Sequence, residues 1–377
     1  MARQIIDRKV YEIRLYRNRD YIGNLGKIAR DISWTVNRNP QIGYNTLTFK
    51  VDQLAFDRWC QSHGVDTATI IMPIKTDCEL WVRHTPTAEP VCVAWGYLYA
   101  YPTLVANTDA LDYQFEFKDQ FLKLQGASRI PNGTTYSRQP ANSVVMNIIS
   151  KAQIRQDPNR FGFTVGLNPT LPKIDRTYND WKPVSEAVAE MCDNSTGAGQ
   201  FDVWIDQDYK VNIAKPRGKD SGLVFIYPYN TATAQIPMSA APTYEQAPEL
   251  ATAILAVGSG QGDAAVSVLV KDDDAIKRFG YIEQYKQYSS IEQKATLQQK
   301  ALADLDNAIY PDPAPTISVN GVFINWENFG VGDRIDYVNN VAVNYGLAGH
   351  VRVKTITVNC DGNRNESIQL ATEVWNE

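Results

Sequence analysis

The chain has little of what marks a secreted, membrane-bound or catalytic protein. Its first twenty residues, MARQIIDRKVYEIRLYRNRD, are charged throughout. They contain neither the apolar core of roughly 7 to 15 residues that a signal peptide needs nor the ~20 apolar residues of a membrane span. The expectation is a protein made and kept in the cytoplasm, with no membrane insertion, so the triplets at Asn132, Asn194 and Asn365 read as turn residues and not as glycosylation sites. Cysteine is sparse: Cys60, Cys78, Cys92, Cys192 and Cys360 form no CxxC pair and no Cys/His cluster with metal-ligand spacing. Cys78 and Cys92 could meet across a hairpin, but an odd total without a secretion signal predicts reduced thiols and no disulfide. Histidine is scarcer still, with His63, His84 and His350 the only imidazole bases, and no GxSxG, HExxH or phosphate-binding loop motif is present. The chain therefore reads as no enzyme: no catalytic, cofactor-binding or metal-binding residue is assigned, and no cofactor is expected. A net charge of -5 excludes the basic balance of a dedicated nucleic-acid binder, while leaving passive passage of DNA open.

What is present is enough apolar material for real cores. The 377 residues are 44% hydrophobic and 11% aromatic, which at ~100 to 200 residues per domain corresponds to two or three domains. Period-two alternation dominates the first 120 residues: Ile32, Trp34 and Val36, then Leu47, Phe49 and Val51, then Leu111, Tyr113, Phe115 and Phe117. A helical stretch near Gln53 to Ser62 interrupts them, and Cys78 to Arg83 with Val91 to Tyr101 reads as a hairpin. Six or more strands with turns between them predict an antiparallel barrel or sandwich over residues 1–125.

The alternation stops at Gly126 to Pro140, where small and polar residues concentrate. A middle α+β unit over 126–245 follows, with Asn142 as a helix cap before Val145, Ile148, Ile149 and Ala152. A second helix starts near Pro183, carrying Val184, Val188 and Met191; Asn194 to Gly199 breaks it. A hairpin then runs through Phe201, Val203, Ile205, Tyr209, Val211 and Ile213. A last β unit over 246–377 opens with strands Thr252 to Val257 and Ala265 to Lys271. A long helix at about 290–309 has Ser290 and Gln293 as a capping box, Ile291, Ala295, Leu302, Leu305 and Ile309 as apolar positions, and Pro311, Pro313 and Pro315 as its stop. Four strands close the chain, the last two joined at Asp361-Gly362.

The candidate sites have plain structural readings. Gly258-Ser259-Gly260-Gln261-Gly262 precedes a strand where a dinucleotide loop would open a helix. Asp272, Asp273 and Asp274 suit a helix start, and Asp202, Asp206 and Asp208 suit a hairpin that lacks the glycine and glutamate of a calcium loop. Nine Lys/Arg against four Asp/Glu in the first 38 residues read as a solvated strand face. Trp34 and Trp95 read as core, not as sugar-stacking platforms.

One ordered set of segments carries a resemblance. Ser290-Ile-Glu-Gln-Lys-Ala-Thr-Leu-Gln-Gln-Lys-Ala-Leu-Ala-Asp-Leu, Pro315-Thr-Ile-Ser-Val, Phe329-Gly-Val-Gly-Asp-Arg-Ile-Asp-Tyr, Gly349-His-Val-Arg-Val-Lys-Thr-Ile-Thr-Val and Glu366-Ser-Ile-Gln-Leu resemble the last tube-forming domain of phage tail hub proteins. Asp175-Arg-Thr-Tyr-Asn-Asp-Trp-Lys-Pro-Val is similar to the middle-domain segment in which such hubs place Asn-x-Trp before a helix. The resemblance covers roughly Pro140 to the C-terminus. It implies a mainly β protein with two tail-tube-like domains around an α+β domain, assembled as a homotrimer that adapts the sixfold tail tube to the tail tip or baseplate. It further implies a lumen that passes DNA or tape-measure protein during ejection, a place in the virion tail after assembly in the host cytoplasm, and as partners the tail tube or distal tail protein ring, tape-measure protein and tail fibre or spike proteins. Unlike many hubs, the sequence shows no enzymatic or fibre-binding extension after Trp375. The alternatives are a hexameric distal tail protein with one tube-like domain per chain, a virion-associated wall hydrolase with paired carboxylates in a cleft, and a carbohydrate-binding adhesin.

Overall fold

Where the sequence alternates, the chain forms strands with one buried apolar row and one half-exposed polar row. In the computed structural model, which describes residues 9–106, 111–125, 129–156, 161–179, 181–192, 201–228, 235–244, 250–260, 262, 265–289, 291–309, 314–340 and 347–374, eight strands come first. They are β1 (Val10–Arg17), β2 (Asp20–Asn24), β3 (Ala29–Asn37), β4 (Thr46–Asp52), β5 (Thr76–Arg83), β6 (Val91–Leu98), β7 (Thr103–Ala106) and β8 (Leu111–Lys118), and all but the short β2 and β7 follow this pattern. Helices α1 (Gln53–Ser62) and α2 (Thr67–Ile70) lie between β4 and β5. The Asp52 side chain accepts from the Ala55 N–H at 2.8 Å and starts α1, which buries Phe56 and Cys60. The strands pair antiparallel in the order β3-β4-β8-β6-β5-β1-β2. Ile13 and Leu15 at one end of this path share a core with Ile32 and Trp34 at the other, so the sheet folds over itself. Phe49, Phe56 and Phe115 meet there, with ring centroids 5.1 and 5.2 Å from Phe115, each burial stabilising by roughly 1.5–3 kcal/mol relative to exposure.

The middle of the chain builds a second core from β9 (Thr134–Pro140), α3 (Ala141–Gln156), β10 (Thr164–Val165), β11 (Lys173–Tyr178), α4 (Val184–Met191), β12 (Asp202–Ile205) and β13 (Lys210–Ala214). Asn142 does not cap α3. The helix begins one residue earlier, and the Asn142 side chain is used to tie down the following loop, accepting from Leu171 N–H at 3.1 Å and donating to Asn168 at 3.0 Å. The stretch Asn194 to Gly199 lies outside the described residues.

The remaining strands are β14 (Asp220–Tyr227), β15 (Ile236–Pro237), β16 (Thr243–Tyr244), β17 (Ala253–Val257), β18 (Ser267–Lys271), β19 (Glu283–Gln287), β20 (Pro315–Asn320), β21 (Arg334–Asn339), β22 (Leu347–Cys360) and β23 (Glu366–Val374), with α5 (Asp273–Phe279) and α6 (Lys294–Ile309). The hairpin β22–β23 turns at Asp361, whose side chain accepts from the Asn363 and Asn365 amides at 2.8 and 2.9 Å. Two expectations need correction. Strands β17 and β18 do not join the C-terminal sheet; with β19 and α6 they enclose a third core of their own. The buried stripe of α6 is Leu297, Ala301, Leu305 and Ala308, whereas Ala295 and Leu302 face out, because the helix packs along one side of that small sheet. Ser290, Pro311 and Pro313 lie outside the described residues.

The two ends of the chain are joined edge to edge. Strand β3 pairs antiparallel with β22 from Ile32↔Cys360 to Asn37↔Thr355, making one sheet that runs from β2 through β3 and β22 to β21, β14 and β15, with β23 and β20 branching from β22. A single core lies beneath both halves, with Trp34 and Trp326 at 6.0 Å between ring centroids. Lys9 and Tyr11 near the N-terminus reach Glu366 near the C-terminus, each at 2.6 Å, and Trp326 N–H donates to His84 Nε2 at 3.2 Å. Burial and the neighbouring Lys9 hold the His84 imidazole below its ordinary pKa. The fold is thus mainly β with an α+β portion, as the alternation implied.

Candidate functional site

At the β3–β22 joint, the inward positions are apolar, and the outward ones are hydroxyls and amides. Following the register across the sheet, one outward row reads Ser318, Gln369, Thr357, Thr35, Thr46 and Lys118. The next reads Asn320, Ser367, Asn359, Ser33, Thr48 and Glu116. These side chains bond along the face: Ser33 Oγ donates to Asn359 Oδ1 at 2.8 Å, and the hydroxyls of Thr35 and Thr357 lie 3.3 Å apart. Charges appear at its margin and cancel in pairs, Lys118 with Glu116 at 3.2 Å and Lys50 with Asp31 at 3.1 Å. Six adjacent strands, drawn from both ends of the chain, therefore present a polar face with almost no net charge.

Behind this sheet, a buried ionic joint fixes its position on the middle unit. Asp202, fully buried at the start of β12, is ion-paired with Arg38 from the end of β3 and Arg352 from β22, and accepts from Asn39 Nδ2 and the Arg217 amide, both at 2.9 Å. Glu373 of β23 completes it, 3.0 Å from Arg38. Burial lowers the Arg352 pKa, opposed chiefly by Asp202, and burial raises that of Glu373 against the pull of Arg38 and Arg352. Arg217 stacks on Trp204 at 4.5 Å, and Gly332 accepts at its carbonyl from Arg352 Nε at 3.1 Å. Three parts of the chain thus converge on one buried carboxylate, whose desolvation is offset by these ion pairs and hydrogen bonds.

The sequence reading placed Asp202 in turn chemistry, and only Asp206 fulfils that role, accepting from the Asp208 and Lys210 amides at 3.0 and 2.9 Å. Asp272 caps α5 by accepting from Ala275 N–H at 2.7 Å, and Asp273 and Asp274 pair with Lys271 and Lys277. The glycine segment connects β17 to β18, Gly258 N–H donating to Val266 at 2.6 Å, and Gln261 is outside the described residues. Cys78 lies opposite Gly96 and Cys92 opposite Trp81, so the two are not register partners, and both are free thiols. Trp34 is core; Trp95 is half-buried and donates its indole N–H to Ile205 O at 2.8 Å. His63 stacks on Trp59 at 4.3 Å and contacts Ser62 at 3.0 Å without a carboxylate behind it, and the exposed His350 pairs with Asp336. The outward hydroxyl rows were visible as the polar half of the alternation; their uncharged character was the unused signal. Asp202 carried no signal, since its charged partners Arg38 and Arg352 lie 164 and 150 residues away along the chain.

No family model matches the sequence, and no curated protein does. Solved structures do match in fold. The 43 kDa tail protein of prophage MuSo2 from Shewanella oneidensis superposes with a TM-score of 0.64 over 96% of this chain and 98% of its own, at 13% identity. A tail protein from Neisseria meningitidis MC58 gives 0.61 over 96% of each chain at 11% identity, and a prophage tail protein from Listeria monocytogenes EGD-e gives 0.54 over 97% and 95% at 14% identity. The fold of this chain over nearly its whole length is that of phage tail proteins.

Proposed function

We propose that a chain with this tail-protein fold serves as a structural hub at the tip of a phage tail or related injection machine. Its reading as a homotrimer rests on one observation: two sheet halves, from residues 1–125 and from the C-terminal portion of 246–377 together with β14 to β16, are fused through β3 and β22 into one surface. Three chains then supply six sheet halves around an axis and match a sixfold tube with a single repeated interface. The middle unit built on β9 to β13 would then sit outside this wall, held by the Asp202 joint. The hydroxyl and amide rows would face the lumen. A wall of this kind offers phosphate neither a lysine array to hold it nor a dense carboxylate field, which suits transit of DNA or tape-measure protein. The protein so placed is not an enzyme, resides in the virion tail, and meets the tail tube or distal tail protein ring on one side and fibre or spike proteins on the other.

Light scattering on the native protein, with negative-stain images of the same sample, tests this. The expected result is the mass of three chains in a six-lobed ring with an open centre. A ring of six chains would replace the hub with a distal tail protein, and a particle with no central opening would remove the lumen.

A further inference from the structure

A cavity lies away from the hydroxyl face, between the N-terminal sheet and the β12–β13 turn. It holds about 380 Å³, and its wall includes Glu79, Trp81, Trp95, Gln120 and Asp208 together with one cation, Arg19. Gln120 is 3% exposed; its Nε2 donates to Asp77 at 2.9 Å, but its Oε1 has no hydrogen-bond partner. A buried acceptor in that condition is costly and calls for a donor. Glu79 beside it accepts from two neutral donors, Tyr16 OH at 2.8 Å and Trp81 Nε1 at 2.7 Å, and forms no ion pair among the described residues. Burial raises the Glu79 pKa against the hydrogen bonds from Trp81 and Tyr16 and the nearby Arg14 charge, with Asp208 adding to the rise, so the carboxylate is only partly compensated and has no cation in direct contact. Asp77, by contrast, already has Lys123 at 3.1 Å. Aromatic faces complete the lining, and the same neighbourhood already stacks guanidinium groups: Arg14 over Trp81 at 4.4 Å and Arg19 over Tyr209 at 4.2 Å.

We propose that this cavity is a binding site for a guanidinium group, which would donate to Glu79 and to Gln120 Oε1 while its plane stacks on an indole. A flat cation with donors around its rim satisfies all three features at once, whereas an ammonium cannot stack and a neutral amide cannot compensate Glu79. The site stands on its own residues and is independent of the hub reading. Its guest is either an arginine side chain of a neighbouring protein or a free guanidino compound.

Methylguanidine titrated into the native protein, followed by tryptophan fluorescence and calorimetry, should bind saturably in the millimolar range or tighter. N-methylurea, with the same shape and no charge, and tetramethylammonium, with charge and no donors, should bind at least about tenfold more weakly. Glu79→Gln should weaken methylguanidine at least about tenfold, and Gln120→Met, which removes the unpaired acceptor, should weaken it too. N-acetyl-arginine methylamide binding as well as methylguanidine identifies a side chain as the guest; its exclusion identifies a free compound. Absence of saturable binding to the wild type would overturn the proposal, since water alone would then satisfy Gln120, and so would equal binding of N-methylurea, whatever the folding of the variants.

Discussion

Asp202 shows how much one side chain can carry when the chain folds around it. Its carboxylate is the only acid fully enclosed in the joint among Arg38, Arg352 and the Arg217 amide, with Glu373 at the rim. Removing it leaves two guanidiniums desolvated and under-compensated, a loss of roughly 3–5 kcal/mol for breaking a buried ion pair from one side. Asp202→Ala should therefore lower the urea midpoint by that equivalent, with the unfolding slope unchanged if both cores still unfold together. A change below about 0.5 kcal/mol, the range of ordinary surface substitutions, would mean that the joint is solvated and does not hold the middle unit to the sheet. No rule of spacing or composition marks such a residue. It is one aspartate among three in a hairpin, and only tertiary contact distinguishes it from Asp206.

At the scale of elements, legibility followed locality. Helix α1 was readable because its cap, its apolar positions and its breaker all lie within Asp52 to Gly64. Strands β3, β4, β8, β22 and β23 were readable because burial on one face imposes period two on the sequence itself. The face of α6 was misassigned because Leu302 and Leu305 are equally apolar, and which one is buried depends on the small sheet of β17 to β19 rather than on the helix. The segment Phe329 to Arg334 is the instructive case. From sequence it is a turn that feeds a strand; in the fold Gly332, at φ +93°, brings its backbone against Arg217 and so shapes the ionic joint. A Cβ there would sit 2.6 Å from the Arg217 carbonyl oxygen in a backbone conformation that L-residues avoid, while one on Gly330 would meet nothing. Gly332→Ala should thus cost about 2 kcal/mol or more, combining left-handed strain with displacement of Arg217, and Gly330→Ala should be near neutral by thermal unfolding. Equal effects at the two glycines would refute this account of the turn.

For the whole molecule, the order of strands could not be foreseen, because β3 and β22 are some three hundred residues apart and neither strand's own pattern names its partner. Their pairing creates the uncharged face, and that face makes the lumen assignment testable through charge. Ser33 and Gln369 both point outward from it on different strands. Ser33→Lys with Gln369→Lys leaves the core untouched and places cations where phosphate would pass. Each lysine that contacts DNA releases counterions and steepens the dependence of log K on log salt by about 0.9. Assembled rings of the double variant should therefore retain short duplex DNA at low salt and release it as salt rises, while wild-type rings retain little. Gln61→Lys with Gln287→Lys adds the same charge at exposed positions off the face and serves as the control. Retention by the first pair alone is the outcome expected of a channel wall; equal retention by both pairs would mean that net charge and not position is being measured, and the hydroxyl rows would lose their claim to the lumen.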